Sequence, residues 1–169
     1  MPEVLITIVI MGILMGIASS TWFSTVESRR VDSATNQVLS DLRLAHTSST
    51  NRLTEYRVAY VSGGQINCAG RSDADYCLLR QNGGSYQETA RYLPERTVIS
   101  GAGLDVDATI STLLGSPNTG TVKFNANGTA ESGGGLVSGL DIRVTVASDD
   151  GNPSNVLDVN PATSRVSVI

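Results

Sequence analysis

Histidine and cysteine are almost missing from this 169-residue chain, which has one of the first and two of the second. Together they cannot supply the four Cys/His ligands of a structural zinc site within one chain. Basic residues are also scarce: Lys123 is the single lysine, and twelve Lys+Arg face sixteen Asp+Glu. A net charge of -4 and a pI near 4.9 argue against a general nucleic-acid binder, which usually carries a basic excess. There is no P-loop, no G-x-S-x-G, no H-E-x-x-H and no dinucleotide fingerprint, so the chain is not expected to be an enzyme, and no cofactor is implied. Proline is missing from residues 3–93, and charge is missing from Val4 to Val26.

That uncharged run of 23 residues reads VLITIVIMGILMGIASSTWFSTV. As a helix it would extend roughly 34 Å, enough to cross a hydrocarbon layer of about 30 Å. A cleavable signal peptide has a shorter apolar core and a basic start, whereas this run has neither Lys nor Arg before it. A buried core helix would show polar residues every few positions, but Val4–Leu14 interposes only Thr7 and Gly12. An ordinary membrane anchor remains the serious alternative. Two details argue against it. Glu3 opens the run directly, and a carboxylate there is costly unless it meets a cation or a membrane surface. Arg29 and Arg30 follow the run, which by the positive-inside rule would place the remainder in the cytoplasm, and the remainder does not look cytoplasmic.

The stretch Met1-Pro2-Glu3-Val4-Leu5-Ile6-Thr7-Ile8-Val9-Ile10-Met11-Gly12 resembles the start of a processed type IV pilin or type II secretion pseudopilin. In that family a glutamate follows four residues after a prepilin peptidase cut, and glycine stands nine residues beyond the glutamate. Glu3 and Gly12 reproduce that interval. Only two residues precede Glu3 here, so Met1 and Pro2 match the third and fourth mature positions and the processing site is expected near Met1, two residues upstream of it. Asn36–His46, Gly120–Thr129 and Asn160–Val168 are similar to the FimT-like and pseudopilin H branch, while residues 62–119 match nothing comparable.

The resemblance implies a pilin fold of class α+β, divided into a hydrophobic N-terminal helix at 1–26 and an extracytoplasmic globular part at 27–169. It implies a structural filament subunit, read here as the major one, with a minor pilin or pseudopilin that primes assembly or captures DNA as the alternative, which the FimT-like stretches support. Glu3 would neutralise a neighbour's N-terminal amine while Val4–Phe23 forms the filament core. The partners implied are identical subunits, the inner membrane before assembly, prepilin peptidase and the pilus assembly machinery. DNA is disfavoured by the net charge. The location implied is the cytoplasmic membrane before assembly and an extracellular filament after it.

The residues themselves agree with this layout. Val31, Ala34, Val38, Leu42 and Ala45 recur at helical spacing, with Arg30, Asp32, Asp41 and Arg43 assigned to the polar side. A helix is expected from Glu3 to about Arg52, roughly 75 Å long, so its first half must project from the body that covers its second. Gly12-Ile13-Leu14-Met15-Gly16 is a G-x-x-x-G that lets helix backbones approach closely. Because Gly12, Gly16, Ser19 and Ser20 crowd together, the helix is expected to unwind somewhere within Gly12–Ser20, with a wholly intact helix as the alternative because no proline stands there. From Glu55 the period changes to two. Tyr56–Tyr60, Leu140–Val146, Thr121–Asn125, Asn155–Val159, Arg165–Ile169 and Val98-Ile99 read as strands with one buried face. Asn127-Gly128 and Asp149–Pro153 read as turns, and Gly133–Gly135 and Ser100–Gly120 as loops.

Cys68 and Cys77 are expected to form a disulfide that pins a ten-residue loop on the outer face, contributing about 2.5–3 kcal/mol by loop entropy. The alternative is two free thiols, which an oxidising extracytoplasmic setting disfavours. His46 reads as a surface or packed residue without a catalytic partner. Asp73-Ala74-Asp75, Asp105-Val106-Asp107 and Asp149-Asp150-Gly151-Asn152 fit no EF-hand spacing and read as solvated loops, so no metal is expected.

Overall fold

The computed structural model describes residues 2–62, 64–100, 113–114, 119–133, 142–163 and 165–169. Met1, Asp105–Asp107, Gly134-Gly135, Leu140-Asp141 and most of the 100–120 loop lie outside these residues. One helix, α1, spans Pro2–Arg52. Eleven strands follow: β1 (Tyr56–Val61), β2 (Ile66–Cys68), β3 (Arg71–Ala74), β4 (Tyr76–Asn82), β5 (Ser85–Arg91), β6 (Thr97–Ser100), β7 (Thr119–Phe124), β8 (Ala130–Ser132), β9 (Ile142–Ser148), β10 (Ser154–Val159) and β11 (Val166–Val168).

The helix does not unwind. All 51 residues of α1 are helical through Gly12–Ser20, which corrects the expected break. Two glycines cost about 2 kcal/mol relative to alanine. Opening that segment would instead release several intrahelical hydrogen bonds, each with a net value of about 1 kcal/mol, with no other partner at hand. The Ser19 hydroxyl donates to Met15 O at 2.8 Å, so it serves its own turn.

At its far end α1 stops in a Schellman motif. Thr54 N–H donates to Ser49 O at 3.2 Å, and Leu53, one residue past the helix, takes a left-handed φ of 50°. That position favours glycine, so a leucine here carries strain.

Two antiparallel sheets cover the second half of α1. One has the order β5-β4-β1-β7-β8, the other β11-β10-β9-β6, and β2 and β3 form a separate hairpin. The main core joins Ala34, Val38, Leu42 and Ala45 of the helix to Val58, Tyr60, Val122 and Phe124 of the first sheet. Ile142, Val144, Val146 and Leu157 complete it from the second sheet. The helical stripe read from spacing is thus buried, and β9 shows the expected alternation, with Arg143 exposed between Ile142 and Val144.

β1 differs from that expectation. Val58, Ala59 and Tyr60 are all buried, because Ala59 faces a second core formed with Ile66, Cys68, Ala74, Cys77, Leu79 and Leu114. A central strand between two cores has no solvent face. Both turns form as expected. In the β7–β8 hairpin, Gly128 at φ 84° donates to Asn125 O at 3.0 Å. In the β9–β10 turn, Gly151 donates to Ser148 O at 2.8 Å.

Candidate assembly interface

Among the described residues, the first half of α1 is exposed from Glu3 to Thr25. Every large apolar side chain from Val4 to Phe23 is more than half exposed, with Trp22 and Phe23 above 70%. Solvated proteins seldom leave so large an apolar surface bare, and a helix apolar on all sides belongs in lipid or among other helices. The helix is long and apolar enough to cross a membrane.

Glu3 sits in the first turn of this rod, where a carboxylate also favours the positive end of the helix dipole. It has no ion-pair partner among the described residues. Gly12 and Gly16 lie one turn apart on one face, and a Cβ added to either would meet nothing within 4 Å. Within the single chain neither position requires glycine, so the close approach they permit is open to a second helix.

Where the head begins, Glu27 accepts a hydrogen bond from the Ser148 hydroxyl at the end of β9. Asn155 Nδ2 donates to Asp32 Oδ1 at 3.0 Å, and Arg43 Nη2 reaches Val166 O at 3.3 Å. These contacts fix the helix to the second sheet.

On the first sheet the fixing is buried, and spacing alone misplaced it. Asp41, assigned to the polar face, is a buried residue. It lies beside Leu42, at the edge of the apolar stripe, and β4 and β5 reach over it. The Tyr76 hydroxyl donates to Asp41 Oδ2 at 2.7 Å, and Arg91 Nε lies 3.1 Å from the same oxygen. Gln37 Nε2 donates to Tyr92 O at 2.8 Å and approaches the Tyr76 oxygen at 3.3 Å. Burial first, and the neighbouring carboxylate second, hold the Tyr76 phenol neutral well above its ordinary range. A polar residue at a helical stripe's edge, with tyrosine and arginine on later strands, was the only signal available.

Cys68 and Cys77 are disulfide-bonded, with Cα atoms 5.8 Å apart. The bond forms as expected; both cysteines are fully buried, and the residues between them belong to the β2–β3 hairpin, exposed over Ala69–Asp73, which the bond ties to β4. Glu88 lies close enough to complete a three-residue metal cluster with them. The sulfurs are spent on each other, however, and Glu88 Oε2 accepts from Ala69 N–H.

His46 packs beside Phe124, ring centroids 6.0 Å apart, as a packed histidine should. The Asp73–Asp75 segment is not a free loop. Asp73 lies on β3, and Asp75 Oδ2 accepts from Leu93 N–H at 2.6 Å, with burial raising its carboxyl above the ordinary range.

These features define a pilin-like architecture: a long N-terminal helix, apolar and bare at its start, packed further on against antiparallel sheets. No protein family, no curated protein and no solved structure matches the chain by comparison.

Proposed function

We propose that this chain is a structural subunit of a type IV pilus-like extracellular filament. Its α1 would anchor it in the cytoplasmic membrane before assembly and join it to identical copies afterwards. The naked half of α1 carries this reading. Lipid and a bundle of other helices are media that can cover it, and a pilin passes from the first to the second.

Burying several hundred Å2 of apolar helix per subunit contributes on the order of 10 kcal/mol before ordering costs. Glu3 supplies what apolar burial lacks, a register. The amine of a neighbour brought into the apolar core needs a counter-charge, and a mispositioned copy would leave both charges unpaired. Gly12 and Gly16 would let the helices close in beside that pair. None of these steps needs a nucleophile, metal or cofactor. The partners of the reading are prepilin peptidase, the assembly machinery and further copies of the chain.

Glu3→Ala is the direct test. The head should fold normally, because Glu3 lies outside it, while filament yield should collapse. Normal filaments from this variant would reject the role of Glu3. The FimT-like stretches favour the minor-subunit alternative, and immunogold decides between the two. Label along whole filaments supports the major subunit, and label confined to tips supports the minor one.

A further inference from the structure

An exposed acidic turn lies at one end of the head, and an arginine without a salt bridge among the described residues lies at the other. Because Ser148 meets Glu27, the β9–β10 turn that follows it lies level with the base of the head, where the stalk emerges. Asp149 and Asp150 are exposed on that turn, and Asp150 has only a long contact to Arg96, at 3.8 Å with both side chains well exposed. A pair so exposed contributes little, about 0–1 kcal/mol, which leaves the turn free to find a better cation.

The opposite end lies 25 residues further along α1, about 37 Å away. There the end of α1, the start of β1 and the β4–β5 and β7–β8 turns surround an open hollow of about 530 Å3. Arg80 lines it, with Nε buried and, among the described residues, without a hydrogen-bond acceptor. Neighbouring charges do not serve Arg80, since Arg57 pairs with Glu55, and Lys123 with Glu55 and Glu131. Gly83 and Gly84 border the hollow with nothing within 4 Å of an added Cβ, and Leu53 stands 76% exposed at its rim.

We infer that the acidic β9–β10 turn of one copy seats in the Arg80 hollow of a second copy, head upon head with stalks parallel. The inference rests on the filament reading and adds which surfaces of the heads meet. Arg80 lines the hollow, and a guanidinium at such a place suits a carboxylate. Turn and hollow share no residue, so the contact is heterologous. Repeated from copy to copy with an offset of about 37 Å, it propagates without closing, as a filament requires.

The test uses the full-length chain with Asp149→Cys and Arg80→Cys combined. An arginine–carboxylate pair holds its Cα atoms too far apart for a direct disulfide. Filaments of this double variant treated with a bis-maleimide of about 10 Å span should therefore run as a ladder of dimers, trimers and longer species, while each single variant stays monomeric. Cys68 and Cys77, bonded and buried, stay out of the reaction. Filaments of the double variant that give monomer alone overturn the contact and leave the filament reading standing. Failure of the unmodified chain to form filaments overturns both.

Charge exchange provides a second arm. Asp149→Arg or Arg80→Asp alone should lower sedimented filament by about tenfold at roughly 0.15 M salt, and the two together should restore it. Unchanged single variants, or no restoration in the pair, would show that the hollow serves something else, such as a soluble anion. Inorganic phosphate that protects Arg80 without any cross-linked ladder would be that result.

Discussion

The Tyr76 hydroxyl and the Asp41 carboxylate meet at 2.7 Å across 35 residues of sequence, and this bond locks the helix to the first sheet inside the core. Tyr60, on the neighbouring strand, is also buried, yet among the described residues its hydroxyl has no hydrogen-bond partner. The two phenols therefore predict opposite outcomes for one substitution. Tyr76→Phe leaves Asp41 with Arg91 alone and should cost about 1–3 kcal/mol, while Tyr60→Phe removes an unsatisfied group and should be neutral or stabilising by about 1 kcal/mol. Denaturant midpoints of the full chain in detergent check the pair; a fall of equal size in both variants would contradict it.

Alkali should unfold the head. Burial raises both Tyr60 and Tyr76 above the ordinary tyrosine value. Below about pH 10 both states hold the phenolic proton, and the stability is fully present. Above it the unfolded chain releases protons that the folded chain retains, so stability falls by about 1.4 kcal/mol per pH unit for each tyrosine. Tyr60→Phe should halve that slope. A midpoint unchanged between pH 9 and pH 11.5 would rule the effect out.

The Cys68–Cys77 bond should persist in the native protein and escape reductant, since both sulfurs are buried. Alkylation in the presence of reductant, read by mass spectrometry, should find no free thiol until the chain is also denatured. Cys77→Ser should cost about 2–4 kcal/mol, felt in the β2–β3 hairpin and the small core, and it should leave α1 helical. Two alkylatable thiols in the folded protein would refute the first claim.

Leu53→Gly should stabilise the head. Leu53 holds φ at 50° and is exposed, so the substitution relieves about 1–2 kcal/mol of left-handed strain and loses about 0.5–1 kcal/mol to chain entropy. A net gain between about 0 and 1.5 kcal/mol is expected. A loss would mean that the Leu53 side chain makes a contact of its own.

Much of this architecture could be read from residue spacing. The 3.6-residue recurrence from Val31 to Ala45 located the packed half of α1, and alternation located β1, β7, β9, β10 and β11. β4 and β5 escaped because Tyr76–Arg91 carries little alternation: β4 serves two cores, and β5 is a polar edge strand with no fully buried residue. Asp41 escaped for a related reason, because its burial depends on partners 35 and 50 residues away. Glu3, Gly12 and Gly16 stood out by their chemical setting, an acid before an apolar run and two bare glycines within it. The Arg80 hollow did not, since it forms where four chain segments converge.

The unbroken helix also has a mechanical consequence. Tension applied to the stalk runs along the axis of α1 and enters the head parallel to the helix–sheet contacts. Arg43 to Val166, Asp41 to Tyr76 and Asn155 to Asp32 are then loaded together in shear rather than opened one after another. Had the rod broken at Gly12–Ser20, it would first have lengthened like a spring. A continuous one passes a pull to the head with little extension, as a tie rod does.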